Sequence, residues 1–205
     1  MIPAAEALQR LQDGNHRFVH EVRAQSRAGE TRRHEVAAAQ EPFAIILGCS
    51  DSRVPAEIVF DQGLGDLFVI RVAGNIVAPS QVGSVEFAAA QYNTRLVVVL
   101  GHSQCGAILA TLDELLNHTE QKYRNLHSIV DRVRPSVAPL LETELRHDHE
   151  ALVRQAVRAN VRASVNQLRH GSELVERLSQ KEGLRVVGAE YSLETGVVEF
   201  FEGME

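Results

Sequence analysis

The chain has 205 residues, 44% of them hydrophobic and 23% charged, with a formal net charge of -6. That length suits one buried core with at most an added arm, and the ordinary composition excludes disorder and fibrous repeats. The acidic balance disfavours nucleic-acid and anionic-membrane partners, whose phosphates need clustered cations, and no window holds the ~18 apolar residues of a membrane span.

The first six residues have neither the basic start nor the apolar stretch of a secretion signal, so a cytoplasmic protein is expected. Leu8, Leu11, Phe18 and Val19 fall near helical spacing and predict an amphipathic helix over residues 4–19, broken near Gly14-Asn15. Residues 20–41 are polar and mostly without period, and suit either an arm lying over another subunit or a surface linker. Residues 43–48 form an apolar run without alternation, the pattern of a strand covered on both faces of a parallel sheet. A helix behind Pro55, turn chemistry at residues 63–66 and a second strand over residues 67–72 follow. A loop at residues 73–75 leads to a helix over residues 80–92, where Val82, Val85, Ala88 and Ala89 keep helical spacing. The third strand spans residues 96–101, and a helix spans about 104–116.

Residues 117–146 read as one or two helices interrupted at Pro135 and Pro139. Val153, Val157, Val161, Val165 and Leu168 predict a long helix, followed by a shorter one over residues 172–181. A strand over residues 184–190 and a turn at Thr195-Gly196 lead to a last strand over residues 197–201, paired antiparallel. The expected fold is therefore α/β: a mostly parallel central sheet of order 2-1-3-4 plus an antiparallel C-terminal strand, flanked by helices. The expected domain is single, residues 1–205, with residues 1–41 as an N-terminal helical arm.

Two cysteines are too few for a disulfide framework, and in a reducing compartment they point to metal binding or catalysis. Ligands of doubly wound sheets sit beyond the carboxyl ends of the strands where strand order reverses, here between the first strand, ending at Cys49, and the third, ending at His102. With Cys105 three residues beyond His102, two thiolates and an imidazole make a zinc set that leaves one tetrahedral position open. The alternatives are a pair of buried apolar thiols or a redox pair, although no Cys-x-x-Cys is present. Zinc with two thiolates is formally neutral and acidifies water less than zinc on three imidazoles, so the site needs help. Asp51 and Arg53 can supply it: a carboxylate held ionised by a guanidinium can orient a zinc-bound hydroxide or, if released, become a fourth ligand that closes the site. An ordinary ion pair at a helix start is the bland reading.

Cys49-x-Asp51-x-Arg53 together with His102-x-x-Cys105 resembles the beta-class carbonic anhydrases, and the likeness extends through residues 11–18, 63–69 and 188–196. The resemblance implies one Zn2+ per subunit on Cys49, His102 and Cys105, with Asp51 and Arg53 as the orienting dyad. It implies that Gln40 donates a hydrogen bond to bicarbonate, often across a dimer interface, which favours the arm. It also implies that Phe68, Ala73 and Phe87 line the carbon dioxide pocket, Ala73 where relatives often carry a larger aliphatic residue and Phe87 where many carry tyrosine. One branch of that family has a regulatory bicarbonate site using a tryptophan, an arginine and a tyrosine. Ile46 stands at the tryptophan position, Arg71 and Tyr191 at the other two, so a site open at neutral pH without that switch is expected.

The implied activity is reversible hydration of carbon dioxide to bicarbonate and a proton by a homodimer or homotetramer. None of the nine histidines is assigned as the proton carrier. Rival readings are a hydrolase of carbon disulfide or carbonyl sulfide on the same scaffold, and a non-catalytic zinc or bicarbonate-binding protein.

Overall fold

The computed structural model describes residues 2–22, 29–117 and 124–204. Five strands form one sheet: β1 (Ala44–Gly48), β2 (Leu67–Arg71), β3 (Leu96–His102), β4 (Arg185–Tyr191) and β5 (Val198–Glu202). Their order is β2-β1-β3-β4-β5, parallel except for the antiparallel β4–β5 pair, as expected. Every residue of β1 and β3 is buried, which explains apolar runs without alternation: helices cover both faces.

One face is covered by α1 (Ala4–Val19) and α3 (Ala56–Val59), whose Leu8, Leu11 and Val59 pack with Ile46, Val98 and Val187. The other is covered by α4 (Pro79–Gln91), α7 (His149–His170) and α8 (Glu173–Lys181), packed on Ile45, Leu47, Val97 and Val99. A third cluster joins α5 (Gly106–Asn117), α6 (His127–Val137) and the first half of α7 around Cys49 and Cys105. The stripe Val153 to Leu168 thus lies within its own chain, and α7 seats closely because β3 and β4 each offer a glycine beneath it. A Cβ on Gly101 would stand 2.5 Å from Val161 Cγ2, and one on Gly188 would stand 2.8 Å from Val161 Cγ1.

Two expectations need correction. Helix α1 runs unbroken through Gly14-Asn15. Gly14 is there for close approach, since a Cβ would fall 1.9 Å from the Phe60 carbonyl oxygen, and Asn15 turns inward to bond Val59, Gly196 and Val198. Pro135 does not interrupt α6; it lies in the last turn, and the carbonyl it deprives of a partner belongs to exposed Asp131. Only Pro139 starts a new element, a short 3-10 turn over Ala138–Glu142.

The polar stretch 20–41 contains a helix, α2 (Glu30–Val36), that buries no side chain and is tied to the β2 end by Arg32, which donates to the Leu64 carbonyl and the Asp66 carboxylate. Residues 23–28 of that stretch lie outside the described residues, as do residues 118–123. Among the described residues no helix is long and apolar enough to cross a membrane.

Candidate metal centre

Strand register builds the site. Gly48 pairs with Leu100, so Cys49 leaves β1 beside the end of β3, where His102 is the last strand residue. Cys105 follows after a turn in which Gln104 takes a positive φ of 55°, and it stands at the start of α5 with the backbone N–H groups of Ala107 and Ile108 directed to its sulfur. The ligand atoms of Cys49, His102 and Cys105 all lie within 4.8 Å of one another, and all three residues are buried.

The electrostatics fit a cation. His102 is 0% exposed; its Nδ1 lies 2.9 Å from the Ser103 carbonyl oxygen, an acceptor, so the proton sits on Nδ1 and the Nε2 lone pair is free. Nε2 is buried without a hydrogen-bond partner, a costly arrangement that a metal bond would relieve. The two sulfurs share one proton. Cys49 is pulled down, chiefly by the Cys105 thiol and further by the nearby His102 ring and the backbone N–H groups of Asp51 and Gly74, against the opposing effect of burial. Cys105 is pushed up by that same hydrogen bond, by burial and by the charge on Cys49. A divalent cation between them supports both negative charges and removes the obstacle to the second ionisation.

Asp51 and Arg53 form the expected dyad. Arg53 donates from its backbone N–H (2.9 Å) and Nε (2.9 Å) to Oδ1 and from Nη2 to Oδ2 (2.7 Å), and holds the carboxyl well below the usual carboxylate range. Oδ2 also lies 3.9 Å from His102 Nε2, on the rim of the donor cluster. The backbone beneath is clamped by Arg71, which donates to the carbonyls of Cys49 (3.0 Å) and Asp51 (2.6 Å). Of the other two positions compared with the regulatory site, Ile46 is fully buried in the core, and Tyr191 is buried with its ring 6.4 Å from that of Phe18.

The four residues expected around the substrate do not gather in one chain. Ala73 lies beside the centre, in the 3-10 turn Ala73–Asn75 whose Gly74 N–H donates to Cys49 Sγ at 3.4 Å. Gln40 instead donates to the Tyr92 hydroxyl at 2.9 Å, and the Tyr92, Phe68 and Phe87 rings stand 5.7–6.2 Å apart. Phe68 pairs with Ile45, four residues before Cys49, so this cluster sits roughly 13 Å back along the strand from the donors of its own chain. It borders an open cleft of about 740 Å³ lined by α2, Gly65 and Gln40.

The reading of the sequence missed the support of the 73–75 turn by Asn160 and Ser164. Its trace was two polar residues, four apart, inside the apolar stripe of α7.

The sequence profile described as carbonic anhydrase matches residues 44–198. The chain is 38% identical over 194 residues to "Carbonic anhydrase 2" of Mycobacterium tuberculosis, covering 91% of this chain and 87% of that protein. Among solved structures, a beta-carbonic anhydrase of Aspergillus fumigatus superposes with a TM-score of 0.75 at 25% identity, over 98% of this chain and 91% of that one. A tetrameric beta-carbonic anhydrase of Sordaria macrospora gives 0.73 at 24% identity, over 83% and 89%, a likeness of fold.

Proposed function

Because the chain belongs to the beta-carbonic anhydrases, enzymes of reversible carbon dioxide hydration, we propose that Cys49, His102 and Cys105 hold one zinc ion per subunit and that Asp51 and Arg53 orient the nucleophile. The observation that carries this is the convergence of two sulfurs and a buried, unpartnered imidazole nitrogen beside a carboxylate that is already engaged elsewhere. When bound, zinc supplies Lewis acidity, lowering the pKa of coordinated water so that hydroxide is available at moderate pH.

The remaining work falls to the chain. Asp51, locked onto Arg53, stays ionised and can only accept, so it takes the proton side of the attacking water or hydroxide and leaves a lone pair for the carbon of carbon dioxide. A carbon–oxygen bond forms, bicarbonate departs, and the proton of the consumed water passes to solvent. Arg71 keeps Cys49 and Asp51 in fixed relation by bonding both carbonyls. Ala73, beside Cys49, supplies part of the apolar wall.

Gln40, Phe68 and Phe87 are assigned to the centre of a second copy, with residues 1–41 as part of the contact, in a homodimer or homotetramer. Support comes from their distance from their own donors, from β2 being an edge strand and from Phe87 being 52% exposed.

Asp51→Ala tests the assignment. Metal content should match wild type while stopped-flow carbon dioxide hydration falls at least about a hundredfold; full activity in the variant removes the dyad's role.

A further inference from the structure

The centre has a support that reaches it from the middle of α7. Gly74 takes φ 68° and ψ 19°, a left-handed conformation, and a Cβ there would meet the Ala107 Cβ at 2.9 Å. Asn75 follows with φ 43°. This turn aims the Gly74 N–H at Cys49 Sγ, and two peptide groups follow it, Gly74–Asn75 and Asn75–Ile76. Their carbonyls are held from one side: Asn160 Nδ2 donates to Gly74 O at 2.8 Å, and Ser164 Oγ donates to Asn75 O at 3.1 Å. Both residues are buried, 2% and 4% exposed, and both sit on the helix face that otherwise carries only apolar side chains.

Resting on the metal centre assigned above, we propose that Asn160, assisted by Ser164, is a positioning residue that sets the hydrogen bond from Gly74 to the Cys49 sulfur and thereby the strength and geometry of that metal ligand. An N–H directed at a thiolate draws off electron density and fixes its lone pairs, and groups of this outer kind typically change metal affinity or activity ten- to a hundredfold when removed. A helix needing only an apolar face against the sheet has no use for an amide and a hydroxyl at these positions. The chain already has a buried asparagine of comparable anchorage that serves packing alone: Asn15 holds the carbonyls of Val59 and Gly196 and the N–H of Val198.

Asn160→Ala and Asn15→Ala are therefore compared, each stripped of metal and titrated with Co(II). The readouts are the thiolate-to-cobalt charge-transfer band, affinity by chelator competition, and thermal midpoint. Asn160→Ala should move the band to longer wavelength and weaken cobalt binding about tenfold, while Asn15→Ala lowers the thermal midpoint and leaves band and affinity at wild-type values. If Asn160→Ala loses thermal stability with both cobalt readouts unchanged, Asn160 is structural only and the proposal fails. Should Asn160→Ala not fold, Ser164→Ala decides by the same readouts: a smaller shift in the same direction supports the clamp, and no shift overturns it. A wild-type chain that binds cobalt without a thiolate band removes the centre itself together with the clamp, a result distinct from a variant that matches a normal wild type.

Discussion

At Asp51 the charge of one carboxylate is decided by one neighbour. The Arg53 side chain lowers its pKa most, the Arg53 backbone N–H adds to that, and partial burial opposes. The fold therefore stabilises the ionised form. That stabilisation is complete above the ordinary aspartate value of about 4 and is lost only as pH falls through the depressed folded value. The acid form capable of leaving Arg53 is accordingly absent across the neutral range. Arg53→Gln should bring the Asp51 titration up toward the ordinary value, followed through its carboxyl carbon by NMR; an unmoved titration shows that Arg53 is not the cause. Cys49 is the second decisive residue: Cys49→Ser keeps the size but replaces a soft donor, and should weaken zinc at least about tenfold by chelator competition.

At the scale of elements, the close seat of α7 on β3 and β4 rests on missing Cβ atoms. Gly101→Ala presses a methyl group into Val161 and should destabilise by about 1–3 kcal/mol in denaturant unfolding, as overpacking does. Adding Val161→Ala should recover part of the loss; an additive loss in the double variant would mean the two do not touch. How far such elements are legible in a sequence depends on what they bury. Strands β1 and β3 announce themselves because every residue faces a helix layer, and α7 because its stripe is long. Helix α2 leaves no trace, since it buries nothing and is held by the bonds of Arg32. Gly14 and Pro135 mislead for a common reason: backbone preference predicts breaks, whereas tertiary contact at Gly14 and the exposed position of Asp131, whose carbonyl loses its partner, offset their cost. In the centre, Cys49, Asp51, Arg53, His102 and Cys105 are legible as strand-end chemistry, while Asn160 shows only as a polar break, with Ser164, in the stripe of α7, and Arg71 bonds backbone carbonyls that no spacing advertises.

For the whole molecule, the proposed sharing of Gln40, Phe68 and Phe87 with the centre of a second copy predicts that activity depends on assembly. Phe87→Glu, placing a charge on an exposed ring, should shift sedimentation toward the monomer and lower hydration at least tenfold without loss of metal; a fully active monomer would return the pocket to a single chain. Asn15 carries a consequence of another kind. It joins the first helix to backbone groups 181 and 183 positions further on. During synthesis, which runs from the amino end, α1 cannot be locked into place until residues 196–198 have emerged from the ribosome. Its apolar side, with Leu8 and Leu11, can dock on Ile46, Val59 and Val98 earlier but lacks the Asn15 anchor until then. A ribosome stalled shortly before that point should therefore display a nascent chain in which α1 is still open to proteases and chaperones, and synthesis through residues 196–198 should close it.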